Sequence, residues 1–243
     1  MRNVIVTGGS RGIGLEIVRK LSDNYSVIAV ARGESGPLSE ARRTASETNT
    51  GSIHFRAFDL NDIRGTSSFV KSIRKEFGPI YGLVNNAAIG TSGILSATRN
   101  STIEKTIQLN TLSPIILTKY VVRAMMNHGG GRIINIASIV GFTGFSGLSV
   151  YSATKASITG FTRALAREVG SLDITVNAIA PGFISTEMTS GLGSDQQDQI
   201  VRRTPLRRLA EPRDVAGAVD FLLSETARNI TGTVLTIDAG STA

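Results

Sequence analysis

Short apolar runs alternate with segments of helical periodicity along all 243 residues, and this alternation constrains the fold more than any other feature of the sequence. The runs are rich in Val and Ile and mostly continuous, which is typical of strands buried on both faces of a parallel sheet. They are Val4–Val6, Val27–Ala31, Ile53–Phe58, Leu83–Val84, Arg132–Ala137, Ile174–Ile179 and Thr233–Ile237. The pattern predicts one α/β domain over residues 1–243, a doubly wound parallel sheet with helices on both faces.

Three of the intervening segments carry apolar residues at helical spacing, and they predict helices over Gly12–Leu21, Ser67–Phe77 and Ser149–Val169. A doubly wound sheet binds ligands beyond the carboxyl ends of its strands, near the point where the strand order reverses. The residues that directly follow each apolar run are therefore the first candidates for a functional site.

Composition excludes several kinds of chemistry. The chain has no cysteine, which rules out disulfides, thiolate catalysis and cysteine-ligated metals, and two histidines are too few for a typical histidine-based metal site. The formal net charge is +7, but the basic residues are scattered, and their densest clusters are the pairs Arg42-Arg43, Arg202-Arg203 and Arg207-Arg208. Because aromatic residues are not interleaved with them, a solvated basic surface is favoured over a nucleic-acid-binding patch.

Neither a targeting signal nor a membrane span is expected. Met1 is followed almost at once by Val4–Val6, which is too short for the apolar core of a signal peptide. No stretch of the sequence approaches ~18 uninterrupted apolar residues, the length that a membrane-spanning helix needs. We expect a cytoplasmic protein with no membrane partner.

A glycine-rich turn follows the first apolar run and opens the first predicted helix. A tight turn, a close backbone approach to a pyrophosphate and free N–H groups at a helix N-terminus all favour glycine. No Gly-Lys-Ser/Thr sequence follows, so the turn is not a P-loop. The turn predicts a dinucleotide site, rather than a merely flexible loop, with contacts at Thr7, Gly8, Ser10, Arg11, Gly12, Ile13 and Gly14.

The end of the second apolar run bears on the choice of dinucleotide. An acidic residue near this point would hold the ribose hydroxyls of NAD, but Ala31 stands there and cannot. Arg32 and Arg11 can both pair with a 2′-phosphate, whereas Glu34 is a competing acidic candidate beyond the strand end. We therefore predict NADP(H). Asp59, after the third run, is a candidate acceptor for the adenine amino group or, alternatively, a plain helix-cap acid.

The long predicted helix opens with Tyr151 and Lys155, which the i, i+4 spacing places on one face. A phenol has an unperturbed pKa of about 10. A nearby ammonium favours the phenolate and would lower that pKa, which yields a tunable acid/base for a carbonyl or hydroxyl. Ser138 ends the fifth run, so Ser138 and Tyr151 are expected at the carboxyl end of the sheet.

Taken together, these residues resemble the short-chain dehydrogenase/reductase family, whose fold is Rossmann-like, and the resemblance covers essentially the whole chain. The family's Asn-Asn-Ala-Gly motif matches Asn85-Asn86-Ala87, with Ala88 in place of the glycine. The resemblance implies a catalytic tetrad of Asn110, Ser138, Tyr151 and Lys155. It implies further cofactor contacts at Leu60, Asn86, Ala87, Tyr151, Lys155, Pro181, Gly182, Ile184 and Thr186.

The chemistry that the resemblance implies is reduction of a carbonyl by NADPH. Tyr151 would donate a proton to the carbonyl oxygen, and Ser138 would hydrogen-bond that oxygen as charge develops on it. Lys155 would hold the nicotinamide ribose and favour the phenolate of Tyr151, while Asn110, expected within a long helix over Thr98–Asn127, would anchor a water in the proton relay.

Within the family, the chain most resembles the bacterial 3-oxoacyl-[acyl-carrier-protein] reductases, which implies a place in fatty acid synthesis. Of the two arginines that contact the carrier protein in that group, one matches Arg132, and the other falls at Leu172-Asp173. Two alternatives stay open at this point. One is an NADP(H)-dependent enzyme for a free ketone, sugar or other secondary alcohol, and the other is a non-catalytic nucleotide- or nucleic-acid-binding protein.

The resemblance also suggests how the chain is organised. Residues 1–137 would mainly bind the cofactor and residues 138–243 would supply catalysis and substrate binding, with residues 184–205 as a mobile substrate lid. The family usually forms tetramers through helices that correspond to Thr98–Asn127 and Ser149–Val169, so we expect a homotetramer.

Overall fold

The computed structural model describes residues 1–48, 51–184 and 194–243. Seven strands form one fully parallel sheet in the order β3-β2-β1-β4-β5-β6-β7. The strands are β1 (Arg2–Thr7), β2 (Tyr25–Ala31), β3 (Ser52–Ala57), β4 (Ile80–Asn85), β5 (Gly131–Ile136), β6 (Ile174–Pro181) and β7 (Val234–Ile237). Every residue of β5 and β6 is buried, as their continuous apolar runs predict for strands covered on both faces.

Helices cover both faces of this sheet, which confirms the predicted fold class. They are α1 (Gly12–Leu21), α2 (Gly36–Thr48), α3 (Thr66–Phe77), α4 (Asn100–Ile107), α5 (Ser113–Met125), α6 (Ser149–Val169), α7 (Ser194–Arg203) and α8 (Pro212–Leu223). One hydrophobic core packs α1, α2 and α8 against the sheet, and the other packs α3, α5 and α6 against it. The order of the strands reverses between β1 and β4, so the residues after these two strands flank the switch point.

The long helix expected over Thr98–Asn127 is in fact interrupted. A π-helical turn, Gln108–Leu112, separates α4 from α5 and contains Asn110. The physical cause lies in the next two residues. Pro114 has no N–H to donate to the carbonyl four residues earlier, and the Ser113 hydroxyl donates to the Gln108 carbonyl at 2.8 Å.

Among the described residues, no helix combines the length and the apolarity that crossing a membrane requires.

Candidate active site

The turn between β1 and α1 has a backbone that favours glycine. Gly8 and Gly12 have φ angles of +66° and +55°, in the left-handed region. A Cβ atom at Gly14 would lie 2.1 Å from the Gly8 carbonyl oxygen, so any side chain there would push α1 off the turn. Helix α1 begins at Gly12 without a side-chain cap, which leaves its first N–H groups available to an anion. The turn therefore fits the pyrophosphate of a dinucleotide.

Thr7 and Asn86 brace this turn across the switch point. The Thr7 hydroxyl accepts from the backbone N–H groups of Asn86 and Ala87, at 2.9 and 3.1 Å, and donates to the Val84 carbonyl at 3.2 Å. The Asn86 side-chain amide donates to the carbonyls of Thr7 and Gly8, at 2.9 and 3.3 Å. Both residues were predicted to contact the cofactor, and in the structure their side chains fix the backbone of the turn.

At the end of β2, Arg32 forms no ion pair within the part of the chain that the structure describes. Arg32 is exposed, and Arg11 is exposed on the neighbouring turn. Glu34, the competing acidic candidate, forms an ion pair with Arg42 at 2.7 Å. Ser10 is held through its carbonyl, which accepts from the Ser35 hydroxyl. This charge distribution suits a phosphate better than a pair of ribose hydroxyls.

Asp59 and Leu60 follow β3, at the same carboxyl edge of the sheet as the glycine turn. One Asp59 carboxylate oxygen accepts from the backbone and side-chain amides of Asn61, at 2.9 and 3.0 Å, so it caps the local turn. The Leu60 carbonyl lies 2.7 Å from the Ser113 hydroxyl, whose one proton is shared between this carbonyl and that of Gln108, and this contact ties the loop to the start of α5.

Ser138, Tyr151 and Lys155 meet where β5 ends and α6 begins. Ser138 caps a 3₁₀ turn, Ile139–Gly141, with its hydroxyl 3.5 Å from the Pro181 carbonyl. A Cβ atom at Gly141 would lie 3.0 Å from the backbone of α6 at Lys155, so the turn packs closely on the helix. The Lys155 ammonium donates to the Ile136 carbonyl at 2.7 Å and lies 5.6 Å from the centre of the Tyr151 ring.

Asn110 connects the π-helical turn to this group. Its side-chain oxygen accepts from the Ile89 N–H, and its amide donates to the Ile89 carbonyl, both at 2.9 Å. The same amide donates to the Thr154 hydroxyl at 3.3 Å, and that hydroxyl donates to the Tyr151 carbonyl at 2.7 Å. Asn110 thus ties the segment after the Asn-Asn-Ala motif to the first turn of α6.

Burial dominates the ionisation of the two titratable groups. It raises the pKa of the Tyr151 phenol to about 12 and lowers the pKa of the Lys155 ammonium to about 8. The expectation that Lys155 lowers the pKa of Tyr151 is therefore wrong for the protein alone. The ammonium donates to the Ile136 carbonyl, and burial takes hydration from both groups.

The stretch after β6 forms the adjoining wall. The Gly182 N–H donates to the Ile237 carbonyl at 2.8 Å, and a Cβ atom on Gly182 would lie 2.6 Å from Cβ of Asp238. Ile184 is buried and forms an isolated parallel bridge with Ala210. Thr186 lies outside the described residues, as does much of the expected lid, of which the described part holds α7.

Sequence reasoning missed a buried polar chain beneath these residues. Asn85 donates to Thr118 and to Asn135, at 2.9 and 2.8 Å, and Asn135 donates to Thr162 on α6 at 2.9 Å. All four side chains are buried. One signal in the sequence could have found this network, namely the polar Asn135 between Ile134 and Ile136 in β5. This row of hydrogen-bonded side chains fixes β4, β5, α5 and α6 relative to one another.

The expectation that Arg132 offers its charge to a carrier protein is wrong for this chain. Its side chain is only 3% exposed. The guanidinium donates to the carbonyls of Gly131 and Asp173, at 3.0 and 3.3 Å, and lies 3.6 Å from the Glu225 carboxylate. Arg132, the second residue of β5, therefore uses its charge on groups of the protein itself.

Comparison with known proteins agrees with this geometry. The family model described as short chain dehydrogenase matches residues 2–197. The chain is 38% identical to the 3-oxoacyl-[acyl-carrier-protein] reductase FabG of Vibrio harveyi and 40% identical to that of Escherichia coli (strain K12). Each match covers 97% of this chain and 95% of the relative.

Solved structures share the fold over nearly the full length. A short-chain type dehydrogenase/reductase from Mycobacterium ulcerans superposes with a TM-score of 0.92 at 28% identity, over 99% of this chain and 89% of that one. A variant of actinorhodin polyketide ketoreductase, solved with NADPH, gives a TM-score of 0.90 at 31% identity, over 99% and 97%. The chain therefore belongs to the short-chain dehydrogenase family of oxidoreductases.

Proposed function

We propose that the protein reduces the carbonyl of a 3-oxoacyl thioester to a secondary alcohol with NADPH, as a 3-oxoacyl-[acyl-carrier-protein] reductase of fatty acid synthesis. The observation that carries this proposal is the convergence of Ser138, Tyr151 and Lys155, linked to Asn110 through Thr154, beside a glycine turn built for a pyrophosphate. NADPH would be held by the glycine turn and would supply the hydride.

The proton comes from the protein's own residues. With a pKa raised to about 12, Tyr151 is protonated at neutral pH and can donate to a carbonyl oxygen that gains negative charge. Among the described residues, the contacts of the Ser138 hydroxyl are both long, at 3.4 and 3.5 Å, so it can turn towards the same oxygen. Lys155 uses one of its donors on Ile136 and keeps others for the nicotinamide ribose and the phenol.

In the proposed mechanism, Asn110 acts by holding nearby backbone in place. Its side chain bonds both backbone polar groups of Ile89, which holds the π-helical turn against the segment after the Asn-Asn-Ala motif. A π-helical turn leaves backbone carbonyls without regular partners, and such a carbonyl can anchor the water of a proton relay.

We propose NADPH rather than NADH because of the charged residues near the ends of β2 and β1. Arg32 and Arg11 are the exposed cations at the ends of β2 and β1, and Glu34 is occupied by Arg42. A 2′-phosphate would pair with these guanidinium groups. The structure of the polyketide ketoreductase relative was solved with NADPH, which supports the same choice.

The assembly is proposed from the relatives and from α6. Ala153, Ala156, Ser157 and Gly160 are exposed on this helix, and small residues permit close helix packing. We propose a cytoplasmic homotetramer that acts on a carrier-bound or other small carbonyl substrate and does not bind nucleic acid.

One observation favours a second candidate, an NADP(H)-dependent reductase or dehydrogenase of a free ketone, sugar or other secondary alcohol. Leu172 stands where a carrier-contacting arginine is expected, and Arg132 is buried. One assay separates the two functions, namely kcat/KM for a 3-oxoacyl carrier-protein substrate against an acetoacetyl ester and a panel of ketones. A preference of at least about tenfold for the carrier-bound substrate, roughly 1.4 kcal/mol, supports the first function, and a smaller one supports the second.

A further inference from the structure

Four exposed arginines crowd a short turn that the proposed chemistry does not use. Residues 202–208, here called the arginine turn, contain Arg202, Arg203, Arg207 and Arg208 and no acidic residue. All four are exposed, and none of them forms an ion pair with a carboxylate among the described residues. Of the acids that follow the turn, Glu211 pairs with Arg213 at 2.8 Å and Asp214 accepts from the Glu211 N–H. Asp198, one helical turn before Arg202 on α7, forms no ion pair with it among the described residues.

The arginine turn is held in one shape by its own backbone. The buried Thr204 hydroxyl bonds to the carbonyls of Val201 and Arg208, at 2.8 and 3.2 Å. Arg207 has a φ of +53°, and its N–H donates to the Thr204 carbonyl at 3.0 Å. Leu206 is 60% exposed amid the four cations. The turn thus presents a preformed basic surface with an apolar centre.

Two contacts place the arginine turn at the carboxyl edge of the sheet, on the side of the candidate active site. The Leu206 N–H donates to the Ala239 carbonyl at 3.2 Å, just beyond β7. Ala210, two residues after the turn, bridges Ile184, which follows the Pro181-Gly182 wall of the site. A partner bound on the turn would therefore sit beside the route to Tyr151.

We propose that the arginine turn is the docking surface for an acidic carrier protein that delivers the 3-oxoacyl thioester. This inference rests on the proposed function and replaces the carrier contact that the buried Arg132 and Leu172 do not provide. Like-charged guanidinium groups around an exposed Leu suit a protein surface that places carboxylates around an apolar patch. A single phosphate would instead need converging donors in a pocket, whereas these four side chains spread over an open turn.

The test uses charge reversal on the part of the turn outside the expected lid. The variant Arg207→Glu/Arg208→Glu is compared with Lys71→Glu/Lys75→Glu, which makes the same change of charge on α3, away from the site. For each protein, kcat/KM is measured with an acetoacetyl carrier protein, with acetoacetyl-coenzyme A and with an uncharged acetoacetyl ester, at low and at high salt.

We expect the variant on the turn to lose about tenfold or more in kcat/KM for the carrier-bound substrate at low salt. Its kcat/KM for the ester should stay at the wild-type value, which also shows that the variant folds. High salt should narrow the difference in kcat/KM between the turn variant and the wild type on the carrier-bound substrate, because screening weakens attraction between exposed charges. The control variant on α3 should match the wild type throughout.

The other outcomes separate the two proposals. If the wild type prefers the carrier-bound substrate and the turn variant keeps that preference, the docking surface is wrong while the proposed function stands. If the wild type shows no preference, the carrier-bound function fails and the docking surface with it. An equal loss for acetoacetyl-coenzyme A would mean that the turn binds the phosphates of the thioester, which overturns docking of a protein. If the turn variant is defective only in salt-dependent binding to DNA, the docking proposal also falls.

Discussion

At the scale of single residues, Tyr151 is the group on which the proposed chemistry depends. Tyr151→Phe removes the phenol proton and leaves the ring and the position of Lys155 in place. We expect turnover to be lost, with NADPH binding nearly unchanged, in a comparison of NADPH oxidation with NADPH titration. Tyr120→Phe is the matched control, because Tyr120 lies on α5 against Lys119 and Arg123. Turnover close to the wild-type rate in Tyr151→Phe would remove Tyr151 from the mechanism.

Arg32 is the residue that we expect to give the protein its preference for NADPH over NADH. Replacing Arg32 with Ala removes one charge-assisted contact to a 2′-phosphate, a contact worth roughly 1.5–3 kcal/mol. We expect kcat/KM for NADPH to fall about 10- to 100-fold and kcat/KM for NADH to stay the same. Arg43→Ala, on the exposed face of α2, should change neither value. An equal fall with both cofactors would argue against recognition of the phosphate by Arg32.

Lys155 should make stability depend on pH in a definite direction. Burial lowers its pKa to about 8, against 10.5 in the unfolded chain. Between these two values the unfolded state binds the proton and the folded state does not, so the free energy of unfolding rises with pH. The upper limit of this slope is about 1.4 kcal/mol for each pH unit.

Urea unfolding of the cofactor-free protein at several pH values between 8 and 10 measures that slope. In Lys155→Met, the rise should disappear even if the variant is less stable overall. A slope that is identical in the wild type and in the variant would show that Lys155 is not the titrating group.

At the scale of elements, the Asn135–Thr162 bond fixes α6 against β5. Thr162→Val keeps the shape of the side chain and leaves the Asn135 amide without this buried acceptor, which costs about 1–3 kcal/mol. Because Thr162 lies two helical turns after Lys155, we also expect a fall in kcat. Thr159→Val is the control, since its hydroxyl makes only a 3.4 Å bond to the Lys155 carbonyl. Equal stability in the two variants would contradict this role.

Local periodicity was enough to predict the elements that carry the site. The helices over Gly12–Leu21 and Ser149–Val169 begin and end where predicted, because their apolar stripes face the sheet and no competing feature interrupts them. The helix over Thr98–Asn127 was expected from the family resemblance, which gave no sign of an interruption at Asn110. The π-helical turn depends on the missing N–H of Pro114 and on the contact of Asn110 with Ile89, and a contact between distant segments has no local signal.

Charge was harder to interpret than hydrophobic pattern. The sequence shows Arg132 as a cation at the start of a strand, and nothing nearby in the chain indicates that Glu225 lies 3.6 Å away. The same limit applies to the pair of Tyr151 and Lys155. Their spacing predicts that they share a face, but only the fold shows that burial outweighs their mutual attraction in setting both pKa values.

At the scale of the whole molecule, strand order explains why residues far apart in sequence form one site. The reversal between β1 and β4 opens a crevice, because the helices on the two sides leave in opposite directions. The glycine turn follows β1, Asn86 follows β4 and Ser138 follows β5, so all three lie along the carboxyl edge of adjacent strands. The arginine turn, joined to β6 and β7, extends this edge on the substrate side.

The prediction of a tetramer rests on one exposed surface, which is formed by α6 and the neighbouring π-helical turn. Leu112 is 44% exposed, and the adjacent Thr111 bonds Ser157 on α6 at 3.0 Å, so apolar and small side chains form one surface. Burying such a surface between copies removes apolar area from water. We expect light scattering at micromolar concentration to give about four times the chain mass of 25.7 kDa.

One substitution tests whether this surface is the interface. A side chain at Gly160 meets no atom within 4 Å in the single chain, so Gly160→Arg should fold, and Arg favours a helix more than Gly does. Placed between two copies, the bulky cation should keep them apart and lower the mass to that of a dimer or a monomer. Gly36→Arg, equally open but on α2, should leave the mass unchanged. A wild-type monomer, or an unaltered tetramer in Gly160→Arg, would show that this surface of α6 does not hold an assembly together.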